Sequence, residues 1–314
     1  MWFWLSLVAL FCWSGSDLFS KIGSRPEDRY SHWKMVTAVG LVMGLHAAYE
    51  VLFGGVSVTL NDIITYLPAS FFYIFSMVLG YISLRYIELS ISSPICNTSG
   101  AVAAVLCLIF LRQPISQLGV AAIALVGVGV LSLGIVEMRE DDALRAERQN
   151  RANIKYAKSL LAFLLPVFYC LIDAAGTFID CIILREEDTG SFLDRLFPNT
   201  LPEATANVSY ELTFLLMGLL AAIYVFGIRR QPLMPRRDGP KLLGGLCETV
   251  GQFAYIFAIG DTAHAAPAAA IISAYCVLSV VWSRLLLRER LSLRHYAAIF
   301  ITVVGIVLLG VLDL

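Results

Sequence analysis

Apolar residues along the chain fall into ten runs of roughly twenty residues, separated by polar stretches. Because a helix needs about 20 residues to cross about 30 Å of hydrocarbon, each run predicts a membrane-spanning helix. Very few residues separate the third, fourth and fifth runs, or the eighth and ninth, which predicts tight hairpins there. The predicted spans cover residues 2–22, 33–53, 63–86, 88–111, 115–136, 157–184, 206–228, 242–260, 263–287 and 294–312.

The composition agrees with a bilayer as the solvent. The chain is 58% hydrophobic and 15% charged, with a mean hydropathy of +0.76, whereas about 25% of the residues of soluble domains are charged. A net charge of -1 gives no reason to expect a nucleic-acid partner. The first run follows no basic stretch and precedes no small-residue cleavage site, so we expect a retained span rather than a signal peptide.

Basic residues are distributed unevenly among the loops. Of the 23 Lys and Arg residues, 20 lie in loops after odd-numbered spans or at the ends of those spans. Cytoplasmic loops carry the Lys/Arg excess in multi-pass proteins. The bias predicts an integral protein of the cell membrane with odd-numbered loops in the cytoplasm and both termini outside.

The two ends of the chain repeat each other at an offset of 176 residues. The matched pairs include Leu111 with Leu287, Arg112 with Arg288, Ser116 with Ser292, Gly129 with Gly305 and, after a small gap, Pro94 with Pro267. We therefore expect two five-span repeats, residues 1–136 and 157–314, joined by a charged loop at 137–156. An odd number of spans turns the second repeat upside down, an architecture of many secondary transporters with a site between the halves.

Several short motifs give the chain a family likeness. They are Trp13-Ser14-Gly15 in the first span, the short segments Tyr81 to Pro94 and Tyr255 to Pro267, the pattern Arg288-Glu289-Arg290-Leu291-Ser292, and Gly129 and Gly305 near the ends of the halves. With these features the sequence resembles the ten-span EamA-type branch of the drug/metabolite transporter superfamily. The chain departs from the family pattern at Gln113, where Glu is common, and in the polar insertion 185–205. The likeness also implies cytoplasmic termini, opposite to the charge bias.

Polar residues inside the spans define a candidate binding site. A carboxylate facing lipid costs at least a few kcal/mol, so Asp17, Asp173 and Glu248 should face a cavity or a partner. Asp17 shares a helical face with Trp13 and with Lys21, and an Asp17–Lys21 ion pair is an equally compatible interpretation. We expect the cavity between spans one, three, four, six, eight and nine. The predicted substrate-binding residues are Trp13, Asp17, Tyr81, Asn97, Tyr169, Asp173, Glu248, Gln252 and Tyr275.

His46, Glu50 and Asp173 are candidates for proton coupling. His46 and Glu50 lie one turn apart in span two, and such a pair can relay protons when partly desolvated. A hydrogen-bonded pair that fixes two helices is the slightly favoured alternative. Glu50 and Glu211, near predicted span ends, read equally well as interfacial carboxylates.

Spans four and nine share two further features. Each begins with an acidic residue, Glu88 or Asp261, which suits a helix N-terminus. Each contains a proline one to two turns further on, Pro94 or Pro267, which predicts a kink that frees backbone carbonyls toward a cavity.

The sequence favours a secondary transporter of small organic solutes that works by alternating access, coupled to protons or to exchange. Aromatic rings beside carboxylates favour an amine or another cation. The sequence contains no nucleotide-binding P-loop, no His-Glu-x-x-His and no Gly-x-Ser-x-Gly, so we expect no enzyme, cofactor or metal site. The alternatives are a carrier of an amino acid, purine or nucleotide sugar, and from other classes an intramembrane enzyme or a receptor. The expected partners are a small-molecule substrate and the lipid bilayer, with the chain a monomer or homodimer.

Overall fold

A computed structural model describes residues 1–24, 28–86, 89–111, 116–138, 160–185, 192–261, 263–286 and 291–312. All regular secondary structure within these residues is helical. The helices are α1 Trp2–Gly23, α2 Ser31–Leu52, α3 Leu60–Tyr86, α4 Leu89–Cys96, α5 Thr98–Phe110, α6 Gln117–Met138, α7 Leu160–Ile183, α8 Leu193–Leu196, α9 Glu203–Ala222 with a π-helical continuation Ile223–Ile228, α10 Pro235–Ile259, α11 Ala265–Ser273, α12 Tyr275–Leu286 and α13 Leu293–Leu312.

Apart from the short helix α8, these helices correspond to the ten predicted spans. Spans four and nine each consist of two helices, α4 with α5 and α11 with α12, and span seven is α9 with its π-helical end. Within the described residues, eight segments are long and apolar enough to cross a membrane, and the apolar stretches of α6 and α13 are shorter. The prediction of an all-α, multi-span membrane protein is confirmed.

Span eight begins seven residues earlier than predicted, at Pro235 instead of residue 242. Its first two turns carry Arg236, Arg237, Asp238 and Lys241, so their hydropathy does not mark them as part of a span. Proline at the first helical position suits a helix start because its missing N–H would have no partner there. The predicted polar insertion at 185–205 also contains the short helix α8 and the first turn of α9.

Spans four and nine are interrupted near their middles. The break in span four falls at Asn97, three residues after Pro94, and the break in span nine at Ala274, seven residues after Pro267. The Ala274 N–H donates to the Ile271 carbonyl at 3.0 Å, a tight 3₁₀-type turn. The breaks therefore follow the prolines rather than coinciding with them. Spans four and nine were predicted to begin with the acidic residues Glu88 and Asp261. Glu88 lies outside the described residues.

The spans pair across the two halves in a symmetric pattern. α1 packs on α10, α3 on α7, α2 on α9, α5 on α11, and α6 on α13. A two-fold rotation would exchange each span of the first half with the span five places later in the chain. It would turn the contact between spans one and eight into the contact between spans six and three. The remaining contacts map onto themselves. The pairing has the symmetry of a pseudo-two-fold repeat, and the division into two repeats stays a prediction.

Spans two and seven approach each other closely at two glycines, Gly40 and Gly218. A Cβ atom on Gly40 would lie 2.7 Å from the Phe214 carbonyl oxygen and 2.8 Å from the Gly218 Cα. Small residues allow such close approach of helices in membranes. Since both obstacles are backbone atoms, a side chain here forces the helices apart.

We expect Gly40→Ala to lower the thermal unfolding midpoint of the purified protein, at an overpacking cost of about 1–3 kcal/mol. Gly127→Ala is the matched control, because the nearest atom to a Cβ there is 3.5 Å away, an ordinary contact. Equal midpoints for the two variants in the same detergent would contradict this packing.

A buried network of charges joins spans one, two and eight at one end of the bundle. Lys241 Nζ donates to the Gly23 carbonyl at 2.7 Å and lies 2.8 Å from Asp238 Oδ1. Lys34 Nζ lies 3.2 Å from Asp28 Oδ2 and 3.6 Å from Asp238 Oδ2. The network ties the end of α1 and the start of α2 to the start of α10.

Candidate functional site

A cavity lies between the two halves, with about 920 Å³ of space free of atoms when the adjoining open solvent is included. Its walls come from spans one, three, four, six, eight and nine, as the sequence predicts, with Tyr210 added from span seven. The break residue Asn97 lines it, as does Ser273 beside the break in span nine. The interruptions of both broken spans therefore face the cavity.

All nine residues predicted to bind substrate line this cavity: Trp13, Asp17, Tyr81, Asn97, Tyr169, Asp173, Glu248, Gln252 and Tyr275. His46 and Glu50 are not among its lining residues, whereas Asp173 is. The structure thus places the predicted substrate residues together and separates two of the three coupling candidates from them. The role of each residue in binding stays a prediction.

Asp17 and Asp173 occupy similar positions in the first spans of the two halves. Asp17 Oδ2 accepts hydrogen bonds from Ser93 Oγ at 2.5 Å and Ser279 Oγ at 2.9 Å. Asp173 accepts one from Ser99 Oγ at 2.7 Å and one from Ser76 Oγ at 3.2 Å. Hydroxyl donors satisfy part of each carboxylate and leave its charge uncompensated.

The Asp17–Lys21 ion pair is not formed. Lys21 Nζ donates instead to the carbonyl of Leu84, at 2.8 Å. Glu248 adds a third carboxylate to the cavity, and none of the described lining residues is Lys, Arg or His. The surface of the cavity is therefore acidic.

Aromatic rings surround these carboxylates. The Trp13 ring lies 5.0 Å from that of Tyr255, tilted by 34°, and 5.8 Å from that of Tyr275, edge to face. Tyr73 meets Tyr255 edge to face at 6.1 Å. Spans one, three, eight and nine thus contribute to one aromatic wall.

Three hydrogen-bond donors at the cavity have no partner among the described residues. They are Trp13 Nε1, the Tyr81 hydroxyl and Gln252 Nε2. Tyr81 is 7% and Gln252 2% exposed. A buried donor without a partner costs about 1–3 kcal/mol, so these groups are suited to a ligand that carries acceptors.

A second acidic cluster adjoins the cavity on the side of span six. Asp180, which is 0% exposed, accepts hydrogen bonds from Tyr66 at 2.5 Å and from Tyr73 at 3.3 Å. The Tyr73 hydroxyl also lies within hydrogen-bond distance of Thr177 Oγ1 and the Tyr255 hydroxyl. Helical spacing puts Asp173, Thr177 and Asp180 on one face of span six, whereas the phenols come from other spans.

The closer partner of His46 is Glu211, and Glu50 lies farther away. Its Nδ1 lies 2.8 Å from Glu211 Oε1, while its Nε2 is 3.7 Å from Glu50 Oε1. Asn207 Nδ2 also donates to Glu211, which is 0% exposed. Glu211 lies two turns inside α9, which begins at Glu203. The pair joins span two to span seven, as the structural alternative expected, with a different partner.

No set of three or more described His, Cys, Asp or Glu residues is arranged to hold a metal ion. The seven cysteines are free thiols, five of them buried.

Comparison with known proteins identifies the family. The model of the EamA-like transporter family matches residues 1–135 and 199–311, which leaves span six outside the matched segments. A solved structure titled only "Crystal structure of protein" aligns with 99% of this chain and 96% of its own, at 13% identity and a TM-score of 0.64. That likeness shows a shared fold. No curated protein sequence matches the chain.

The family resemblance expected from the motifs is thereby confirmed, and the matched segments span most of the chain. Members of this family are membrane transporters and not enzymes, so a lipid bilayer and a small-molecule substrate are the partners. The chain belongs to the EamA-like transporter family of the drug/metabolite transporter superfamily and is a multi-pass membrane transporter of small solutes.

Proposed function

We propose that the chain transports small organic cations, amines in particular, by alternating access between its two halves. The observation that carries this proposal is the charge of the cavity. Asp17, Asp173 and Glu248 line it, and no described lining residue is basic. In a site of low dielectric, these charges attract a cation far more strongly than they would in water.

The aromatic wall supports the same substrate class. The rings of Trp13, Tyr255 and Tyr275 line the same cavity as the carboxylates, and a cation over the face of such a ring gains about 0.5–2 kcal/mol. The unpaired donors of Trp13, Tyr81 and Gln252 add a requirement, because the substrate should bring an acceptor such as a hydroxyl or carbonyl oxygen. An aromatic or aliphatic amine with an oxygen function meets both conditions.

The rival substrates fit the cavity less well. An amino acid or a nucleotide sugar carries a carboxylate or phosphate, which proteins bind with Arg, Lys or helix N-termini. The described lining contains neither Arg nor Lys, and the helix N-termini at the two breaks, after Asn97 and after Ala274, share the cavity with three carboxylates. A neutral purine would leave three carboxylates without a counter-charge. The acidic lining therefore favours the cation.

For the orientation we propose cytoplasmic odd-numbered loops and both termini outside. The support is the concentration of 20 of the 23 Lys and Arg residues on one side of the predicted topology. A cysteine introduced at residue 1 should then react with a membrane-impermeant maleimide in intact cells, while one at residue 236 should not. The reverse pattern would contradict the proposed orientation.

Ligand-induced stabilisation tests the substrate class. We expect tyramine, which combines an ammonium group with a hydroxyl, to raise the thermal unfolding midpoint of the purified protein, because a ligand that binds only the folded state stabilises it. Tetramethylammonium, with no polar group beyond its charge, should stabilise it less, and glutamate not at all. Stabilisation by glutamate without stabilisation by either cation would overturn the proposal.

A further inference from the structure

Asp180 is a buried carboxylate that the substrate cavity does not use directly. Its side chain is fully buried, and its described hydrogen bonds come from the phenols of Tyr66 and Tyr73. Arg185, two residues beyond the end of the same helix, directs its guanidinium to the carbonyls of Ile182 and Phe197 and to Asp194. Among the described residues, the titratable groups around Asp180 are Tyr66 and Tyr73 from span three, Cys107 from span four, Tyr210 from span seven, Tyr255 from span eight, and Asp173 and Cys181 from its own helix.

Such a site stabilises both protonation states. An ionised carboxylate without a basic partner is costly inside a membrane protein, and hydrogen bonds from phenols offset only part of that cost. The two phenols nevertheless give the charged form two donors. The protonated form can donate its own hydrogen to either phenol oxygen, so neither state leaves the group without a partner.

A hydrogen-bonded path connects Asp180 to the cavity. The Tyr255 hydroxyl lies against the Tyr73 hydroxyl, which in turn reaches Asp180 Oδ2 at 3.3 Å. Tyr73 and Tyr255 both line the cavity. Since each phenol can donate one hydrogen and accept another, a proton can pass along this chain without movement of the carboxylate.

We propose that Asp180 binds the proton that this transporter exchanges for its cationic substrate. Asp180 lies two helical turns from Asp173 on the same face, about 10 Å along the axis. Ionised Asp180 adds to the negative potential of the cavity and favours the bound cation, while protonated Asp180 removes that charge. One proton released to one side balances one monovalent cation bound from it, and the return step with a proton completes the exchange. The cation half of this proposal rests on the proposed function, whereas proton binding at Asp180 does not.

Infrared difference spectroscopy across a pH titration tests the proton site without any substrate. We expect the protein in liposomes to show a protonated-carboxyl band that titrates and that Asp180→Asn removes. Asp62→Asn, which removes a carboxylate at the start of the same helix that carries Tyr66, should keep the band. Tyr66→Phe should shift its midpoint, because the variant removes one donor to Asp180 and lines no part of the cavity. Identical titrations for wild type and Asp180→Asn would overturn the proposal. If Asp180→Asn fails to fold, an unchanged midpoint in Tyr66→Phe would overturn it instead.

Proteoliposomes loaded at a pH below that outside test the exchange. Wild-type protein and Asp62→Asn should accumulate labelled tyramine well above the level in protein-free liposomes, where the acidic lumen traps the amine passively, whereas Asp180→Asn should bind it and show no accumulation beyond that level. Accumulation beyond it by Asp180→Asn would overturn the coupling role. If tyramine neither binds nor moves with wild-type protein, the proposed substrate class fails while the infrared titration still decides whether Asp180 binds the proton.

Discussion

Replacing Asp173 by asparagine should slow transport of an organic cation about 10- to 100-fold while leaving the protein folded. Hydrogen bonds to charged groups contribute about 1.5–3 kcal/mol, and each 1.4 kcal/mol is a factor of ten. Asparagine has nearly the same size, and its amide can keep hydrogen bonds with Ser99 and Ser76. The variant therefore removes the charge and little else.

Initial uptake of labelled tyramine into proteoliposomes, normalised to the amount of reconstituted protein, measures this effect. Asp173→Glu is the matched variant that keeps the charge and should retain more activity than Asp173→Asn. Asp17→Asn should give a loss similar to that of Asp173→Asn, because Asp17 holds the equivalent position in the first half and also accepts two serine hydroxyls. Wild-type uptake by Asp173→Asn, with normal thermal stability, would place the binding charge elsewhere.

The membership of the cavity wall was predictable because lipid constrains the faces of a span. An acid inside an apolar run must turn away from hydrocarbon, and helical spacing then fixes which neighbours share its face. Trp13 lines the cavity because it shares a helical face with Asp17, and Tyr169 lines it because it shares a face with Asp173. Local periodicity is sufficient for such residues.

The partners of those residues were not predictable in the same way. Ser93 and Ser279 reach Asp17 from spans four and nine, and their register depends on how the helices slide and rotate against one another. The phenols around Asp180 and the bond between His46 and Glu211 depend on the same packing. A single sequence records the period of each helix but not the height at which two helices meet.

Hydropathy also misplaced the start of span eight, where Lys241 and Asp238 are buried. Charged residues usually mark the end of a span, so the hydropathy pattern placed Asp238 and Lys241 in the loop before span eight. In the structure they compensate one another within the bundle, which a window of hydropathy cannot register. The turns that the prediction left out of span eight therefore carry contacts that stabilise the bundle.

Lys241→Met should lower the free energy of unfolding by about 3 kcal/mol, the lower end of the range for breaking a buried ion pair. Methionine fills a similar volume, but Asp238 loses its contact at 2.8 Å and the Gly23 carbonyl its donor at 2.7 Å. Lys34, 3.6 Å from Asp238, still offers partial compensation, which is why we do not expect the full cost. Arg236→Met removes an exposed charge from the first turn of the same helix and should change stability little.

The double variant Lys241→Met/Asp238→Asn separates a buried ion pair from simple loss of packing. If the cost of Lys241→Met comes from the Asp238 charge that it leaves without a partner, removing that charge as well should restore part of the stability. The sum of the free-energy costs of the two single variants should then exceed the cost of the double variant. Unfolding by steric trapping in bicelles gives the three free energies. Additive costs would mean that Lys241 stabilises the bundle through the Gly23 carbonyl and its aliphatic stem. The ends of spans one and eight would then be held by a hydrogen bond to backbone, a contact that alternating access can break without uncovering a charge.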